Sequence, residues 1–219
     1  MTRPNADAIY ESAPGDDREL ARAIRVCLMG TAAFPALTFF PDNGDEAAFR
    51  LMWAAWHEAL FVNVLGPHLV RCHQAARVNQ IAELLEADRE LDARLTVAQR
   101  DRSASAGAAL HGSIEGARHV PQMDRFRHAV LEQQVPGHFA TVLAVEAALF
   151  YVPLMHVLPA CLFAEWRGAR ISITATAGHS ARGGGSISEF LGAAGEEVFS
   201  SRKTLDSSLA GSGQLIVCA

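Results

Sequence analysis

Apolar residues recur at helical spacing along most of this chain, and the interruptions fall at Gly and Pro. Asp16 and Asp17 are placed to cap a helix running through Glu19, Leu20, Ala21 and Arg22 to Met29, with Gly30 as its stop. Residues 31–44 combine Pro35, Pro41 and Gly44 with Phe34, Phe39 and Phe40, which predicts an apolar loop. Asp45 then opens a long helix through Leu65, ended by Gly66-Pro67 and carrying Phe49, Met52, Trp53, Trp56, Leu60, Phe61 and Val64. A helix apolar on nearly every side is buried in a core or shared between subunits. A further helix after Pro67 carries Leu69, Val70, Ile81, Leu84 and Leu85, and the charged stretch Glu86 to Arg94 leads into Arg100–Ala109. Small residues crowd Ser103 to Ala109, so Gly107 with Ser103 and Ala104 is expected where two helices approach closely. On that reading Gly107→Leu costs about 1–3 kcal/mol through overpacking. Residues 112–122 predict a loop, and Met123 to Gln134 a helix stopped by Pro136-Gly137.

Residues 138–165 are the most apolar stretch, interrupted by Glu146, Pro153, His156 and Pro159. The length suits a membrane span, but a central Glu costs about 2.5–3.5 kcal/mol on comparable insertion scales, and two prolines disturb the backbone. Two buried helices broken near Pro153 are therefore predicted, with no membrane association. Beyond Arg170, Ile171-Ser172-Ile173-Thr174-Ala175-Thr176 alternates as a strand does. Gly183-Gly184-Gly185 predicts a flexible loop and Ser186 to Ser200 a helix. The expected architecture is all-α: a single-domain helical bundle over residues 17–200, with a flexible leader at 1–16 and an irregular C-terminal tail at 201–219.

Composition narrows the functional classes. Charged residues are 20% of the 219 and hydrophobic residues 50%, which excludes wholesale disorder. A formal net charge of -5 leaves no basic excess to grip a phosphate backbone, so nucleic acid is not an expected partner. Aromatics are only 7% while alanine is abundant, which favours packed helices over sheets. Cys27, Cys72, Cys161 and Cys218 are far apart, without the paired spacing of a disulfide framework or structural zinc site. Residues 1–19 are polar and acidic and lack the basic and apolar regions of a signal peptide. A cytoplasmic protein with reduced thiols is expected.

Candidate chemistry is sparse. Gly178-His179-Ser180-Ala181-Arg182-Gly183-Gly184 has the glycine spacing of a phosphate loop, but Gly184-Gly185 stand where Lys and Ser or Thr are needed. The same segment fails the nucleophile-elbow pattern at Arg182. Ser200-Ser201-Arg202-Lys203 satisfies S-x-x-K without a following Lys-Thr-Gly. His111, Glu115 and His119 step by four and would share one helix face, half of a metal site, although Gly112 and Gly116 weaken a helix there. Cys72-His73 and Trp56-His57-Glu58 are adjacent residues, which diverge by about a hundred degrees on a helix and rarely chelate together. No enzyme, cofactor or metal site is expected; the alternative is a helical metal- or cofactor-dependent enzyme using His111, Glu115 and His119.

One pattern goes further. Phe34-Pro35-Ala36-Leu37-Thr38-Phe39-Phe40-Pro41-Asp42-Asn43-Gly44-Asp45-Glu46 resembles the N-terminal signature of the urease accessory protein UreF family, with Pro35, Phe39, Gly44 and Glu46 at the family's spacing. Glu58 with Phe61, Pro67 and Arg71 resembles the following helix pair. Asp88 to Arg94, then Arg100, Ser103, Ser105 and Gly107, resembles a D-x-x-x-D-A-R block followed by R-x-x-S-x-x-x-G, and His138-Phe139-Ala140-Thr141-Val142 resembles the opening of a later helix. The resemblance covers residues 20–165 and implies an all-α adaptor rather than an enzyme. It implies a homodimer that bridges UreD (also called UreH) and the GTPase UreG while nickel is delivered to apo-urease. Partner-binding residues implied by it are Phe34, Pro35, Phe39, Phe40, Gly44, Glu46, Arg100, Ser103 and Gly107.

Overall fold

The computed structural model describes Leu37, residues 46–113, residues 121–176 and Phe190. The described residues form these helices: α1 (Glu46–Trp56), a π-helix (His57–Leu65), α2 (Gly66–Arg77), α3 (Ile81–Arg94), α4 (Val97–Ser113), α5 (Pro121–Leu131), α6 (Phe139–Leu149) and α7 (Leu154–Thr176). The all-α bundle expected from the sequence is what forms. The expected helices at 17–29 and 186–200, the loop 183–185 and the tail lie outside the described residues, Phe190 apart.

Helix α6 is the axis of the bundle. Every residue from Phe139 to Ala148 is buried, which is why its sequence lacks an amphipathic stripe. Helices α2 and α4 pack along it, with α7 and α3 completing its surround. The predicted break near Pro153 is present, between α6 and α7.

Three boundaries differ from the sequence expectation. Gly66-Pro67 does not end a helix: Gly66 keeps helical angles (φ −60°), and the chain runs straight from the π-helix into α2. Pro67 falls in the first turn of α2, where its missing N–H costs least. The wider π turns leave the Glu58 carbonyl to accept from Asn63 Nδ2 at 2.6 Å; along this stretch Trp53 stacks on Trp56 and His57 on Phe61, while Trp56 and Phe61 meet at a tilt. The single helix expected from Leu69 to Leu85 is two, parted at Val78–Gln80. Here Asn79 adopts a left-handed conformation (φ 59°), and Gln80 N–H donates back to Ala75 O at 2.9 Å. Gln133 and Tyr151 close α5 and α6 by the same device. Finally, Ile171–Thr176 is not a strand but the last part of α7. Helical hydrogen bonding already running from Leu154 adds one bond per residue, whereas a strand there has no partner strand among the described residues.

Two ties fasten α7. Arg170 donates to both oxygens of Glu46 at 2.7 Å and lies 4.1 Å from the Phe49 ring centroid, joining α7 to α1. The hydrogen bond from Arg170 holds the Glu46 carboxyl below its usual range. Glu165, buried in α7, accepts from the Leu37 backbone N–H at 3.0 Å. Burial pushes the Glu165 carboxyl up to about 8, against the opposing effect of that bond. Folded Glu165 thus keeps its proton over a range in which the unfolded carboxyl, with the ordinary value of 4.5, has lost it. In that window folding binds a proton, so stability falls as pH rises, by up to about 1.4 kcal/mol per unit. Glu165→Gln keeps a carbonyl acceptor for Leu37 and cannot titrate. Its urea-unfolding free energy should be flatter than wild type between about pH 5 and 8; parallel profiles would show that Glu165 is not the source.

Candidate functional site

The sequence blocks Asp88–Arg94, Arg100–Gly107 and His138–Val142 stand on three helices and converge on one polar junction at the start of α6. Asp88 is fully buried. Its Oδ2 accepts from Gly137 N–H at 2.7 Å, its Oδ1 accepts from His138 N–H at 3.1 Å, and the Thr141 hydroxyl also donates to Oδ1. Ser103 Oγ accepts from Phe139 N–H at 3.3 Å. The first amides of α6 are therefore capped by side chains from α3 and α4 rather than by a local residue. A carboxylate at that positive helix end is favourable.

The junction extends both ways. Thr141 gives its proton to Asp88, so its oxygen accepts from His68 Nε2 at 2.8 Å, which fixes the His68 tautomer. Burial, reinforced by the nearby His138 and arginines, lowers the His68 imidazole to about 3 and keeps it neutral. Cys72 Sγ lies 3.4 Å from the same nitrogen, and burial pushes its thiol far up. On the other side His138 Nε2 is 3.3 Å from Asp92 Oδ1, and Asp92 Oδ2 is 3.5 Å from an Arg100 nitrogen. A groove of about 410 Å³ opens over this side between Arg89, Asp92 and the 133–136 turn; a smaller cleft of about 120 Å³ lies by His68, Arg71 and Arg94.

Chemically the junction is a brace. A neutral imidazole locked to a hydroxyl and a thiol held protonated make no nucleophile–base pair. Among the described residues no three His, Cys, Asp or Glu side chains are disposed to hold a metal ion. His111 faces Glu146 of α6, with Nδ1 3.5 Å from Oε1. Glu115 and His119 lie outside the described residues. Cys72 meets His68, not His73, whose Nε2 bonds Val152 O at 2.9 Å.

The implied partner-binding residues are dispersed. Phe34, Pro35, Phe39, Phe40 and Gly44 lie outside the described residues. Glu46 is engaged by Arg170 and Arg50. Arg100 is half-buried, with Nε donating to Leu95 O at 3.1 Å, and Ser103 and Gly107 are buried. The expected close approach at Gly107 is present: a Cβ there would stand 2.1 Å from Gly137 O and 3.0 Å from Phe139 N. Its neighbour is the backbone leading into α6. Sequence reasoning placed Asp88 and Asp92 in a block without giving them a role. Their spacing of four sets both on one face of α3, which was the available signal.

A family model for UreF matches residues 45–169, from the start of α1 into α7, and takes in the whole junction. The chain belongs to the UreF family. No curated protein and no solved structure matches it. Membership makes this a urease accessory protein, of a family of accessory factors rather than known enzymes. No helix among the described residues is long and apolar enough to cross a membrane.

Proposed function

We propose that this chain is a cytoplasmic, dimeric adaptor that bridges UreD/UreH and the GTPase UreG while nickel is inserted into apo-urease, and that it carries no catalytic step itself. The observation behind the reading is the UreF match across the helical unit, together with the three blocks meeting at one rigidly braced junction. A rigid frame suits an adaptor, because fixed surfaces lose little freedom when partners dock. Self-association is supported by α1 and the π-helix, which bury Phe49, Trp53, Trp56 and Phe61 on one side and leave Leu51, 75% exposed, with Ala54, Ala55 and Ala59 on the other. The loop 34–44 is proposed as a partner-docking element rooted at Leu37, which is held by Glu165.

Co-expression with UreD and UreG tests this directly. A tagged chain should recover both partners and restore urease activation in cells lacking their own UreF. Phe39→Ala should weaken capture while leaving the melting temperature unchanged, and Leu51→Arg should shift the sedimenting species from dimer to monomer. Failure of the wild-type chain to recover either partner would overturn the adaptor reading, and a wild-type monomer at micromolar concentration would overturn the dimer.

A further inference from the structure

Helices α4 and α6 meet along one seam. At one end Ser103 and Gly107 hold the 137–139 backbone; at the other His111 faces Glu146. Glu146 is 3% exposed and stands on a helix buried all round. His111 Nδ1 lies 3.5 Å from Glu146 Oε1, and Phe126 of α5 meets the imidazole edge-on at 6.1 Å between centroids. Among the described residues, neither Glu146 oxygen nor His111 Nε2 has a hydrogen-bond partner.

An ionised carboxylate alone in such a place is costly, and so is an imidazolium alone. With one proton between them the pair is neutral overall, whichever group holds it. With none it carries a buried negative charge, and with two a buried positive one. We propose that His111 and Glu146 together hold a single proton and make the α4–α6 seam a pH-sensitive joint, firm while the proton is held and loosened on the alkaline side where it leaves. The direction agrees with burial raising the Glu146 carboxyl, opposed by His111.

The other ionisable groups packed on α6 among the described residues are engaged elsewhere. His68 and Cys72 of α2 and Asp88 of α3 gather at Thr141, at the start of α6. His73 of α2 is bonded to Val152 O beyond its end, and Glu165 of α7 to Leu37 N–H, with Cys161 beside it. Of the described charged groups, His111 is the one that acts on Glu146.

Proton counting gives the sign. With ordinary values of about 4.3 and 6.5, the unfolded Glu and His together bind two protons in acid, one between those values and none above. The folded pair binds one. Above about pH 6.5 folding takes up a proton, so the unfolding constant rises about tenfold per pH unit until the folded pair lets go. Below about pH 4.3 the unfolded chain binds the extra proton, and the constant rises as pH falls.

The test compares the full-length wild type with a His111→Phe/Glu146→Leu double variant, which replaces the pair by apolar groups. Protons released on unfolding are measured by calorimetry in buffers of different ionisation enthalpy. The wild type should release about one proton more than the variant near pH 7.5 and the same number near pH 5.5. Equal release at both values overturns the proposal. A second measurement needs only the wild type: the Glu146 carboxyl carbon and the His111 ring resonances should shift together in one step. Two independent steps at ordinary values overturn it, whether or not the variant folds.

Discussion

Asp88→Ala is expected to lower the unfolding free energy by about 3–5 kcal/mol. Three donors point at this one buried carboxylate: the amides of Gly137 and His138 and the hydroxyl of Thr141. Removing the acceptor leaves buried donors unpaired at about 1–3 kcal/mol each, less what water entry and relaxation recover. Two of the donors are the amides entering α6, so the loss falls on the axis of the bundle. Asp88→Asn should recover only part, since its amide nitrogen would face a donor where an oxygen now accepts. Thr141→Val should cost less than Asp88→Ala, because it leaves the two amides capped while freeing His68. Urea unfolding at neutral pH measures all three. A loss below about 1 kcal/mol for Asp88→Ala would show that solvent replaces the carboxylate and that the junction is not the brace described.

Gly107→Ala should be nearly as damaging, at about 3 kcal/mol, the upper end of overpacking costs. The added Cβ would meet Gly137 O at 2.1 Å and Phe139 N at 3.0 Å, both backbone atoms. A flexible side chain could swing aside; these atoms cannot, because Gly137 and His138 amides are bound to Asp88 and the Phe139 amide to Ser103. Relief requires α4 to move off α6 or the cap to break. For a chain of this size the melting temperature should fall by about 6–12 °C. Gly112→Ala is the control: nothing lies within 4 Å of a Cβ there, and replacing an exposed helical glycine should be neutral or stabilising. Equal melting temperatures for Gly107→Ala and wild type would place α4 away from the 137–139 backbone.

Much of the molecule followed from local pattern. The apolar run 138–165 and Pro153 specified two buried helices, and the small residues around Gly107 specified a close approach. These succeed because helical period, proline geometry and side-chain volume act over one or two turns. The errors also share a cause. Alternation at Ile171–Thr176 is weak evidence for a strand when a helix already runs into it, and Gly66-Pro67 is no stop where π turns hand over to α2.

The site divides the same way. Sequence by itself determined the helical class, the residue blocks and, through them, the UreF family. Only the tertiary structure decided what those blocks do: Asp88 reaches amides about fifty positions away, and Ser103 reaches Phe139. It also set His111 beside Glu146, thirty-five positions along the chain. A hydrogen bond or ion pair is set by distance in space, and helical periodicity fixes which residues share a face but not which faces meet. Which faces meet is decided by the packing of the whole apolar core around α6, a sum over every helix that no local window contains.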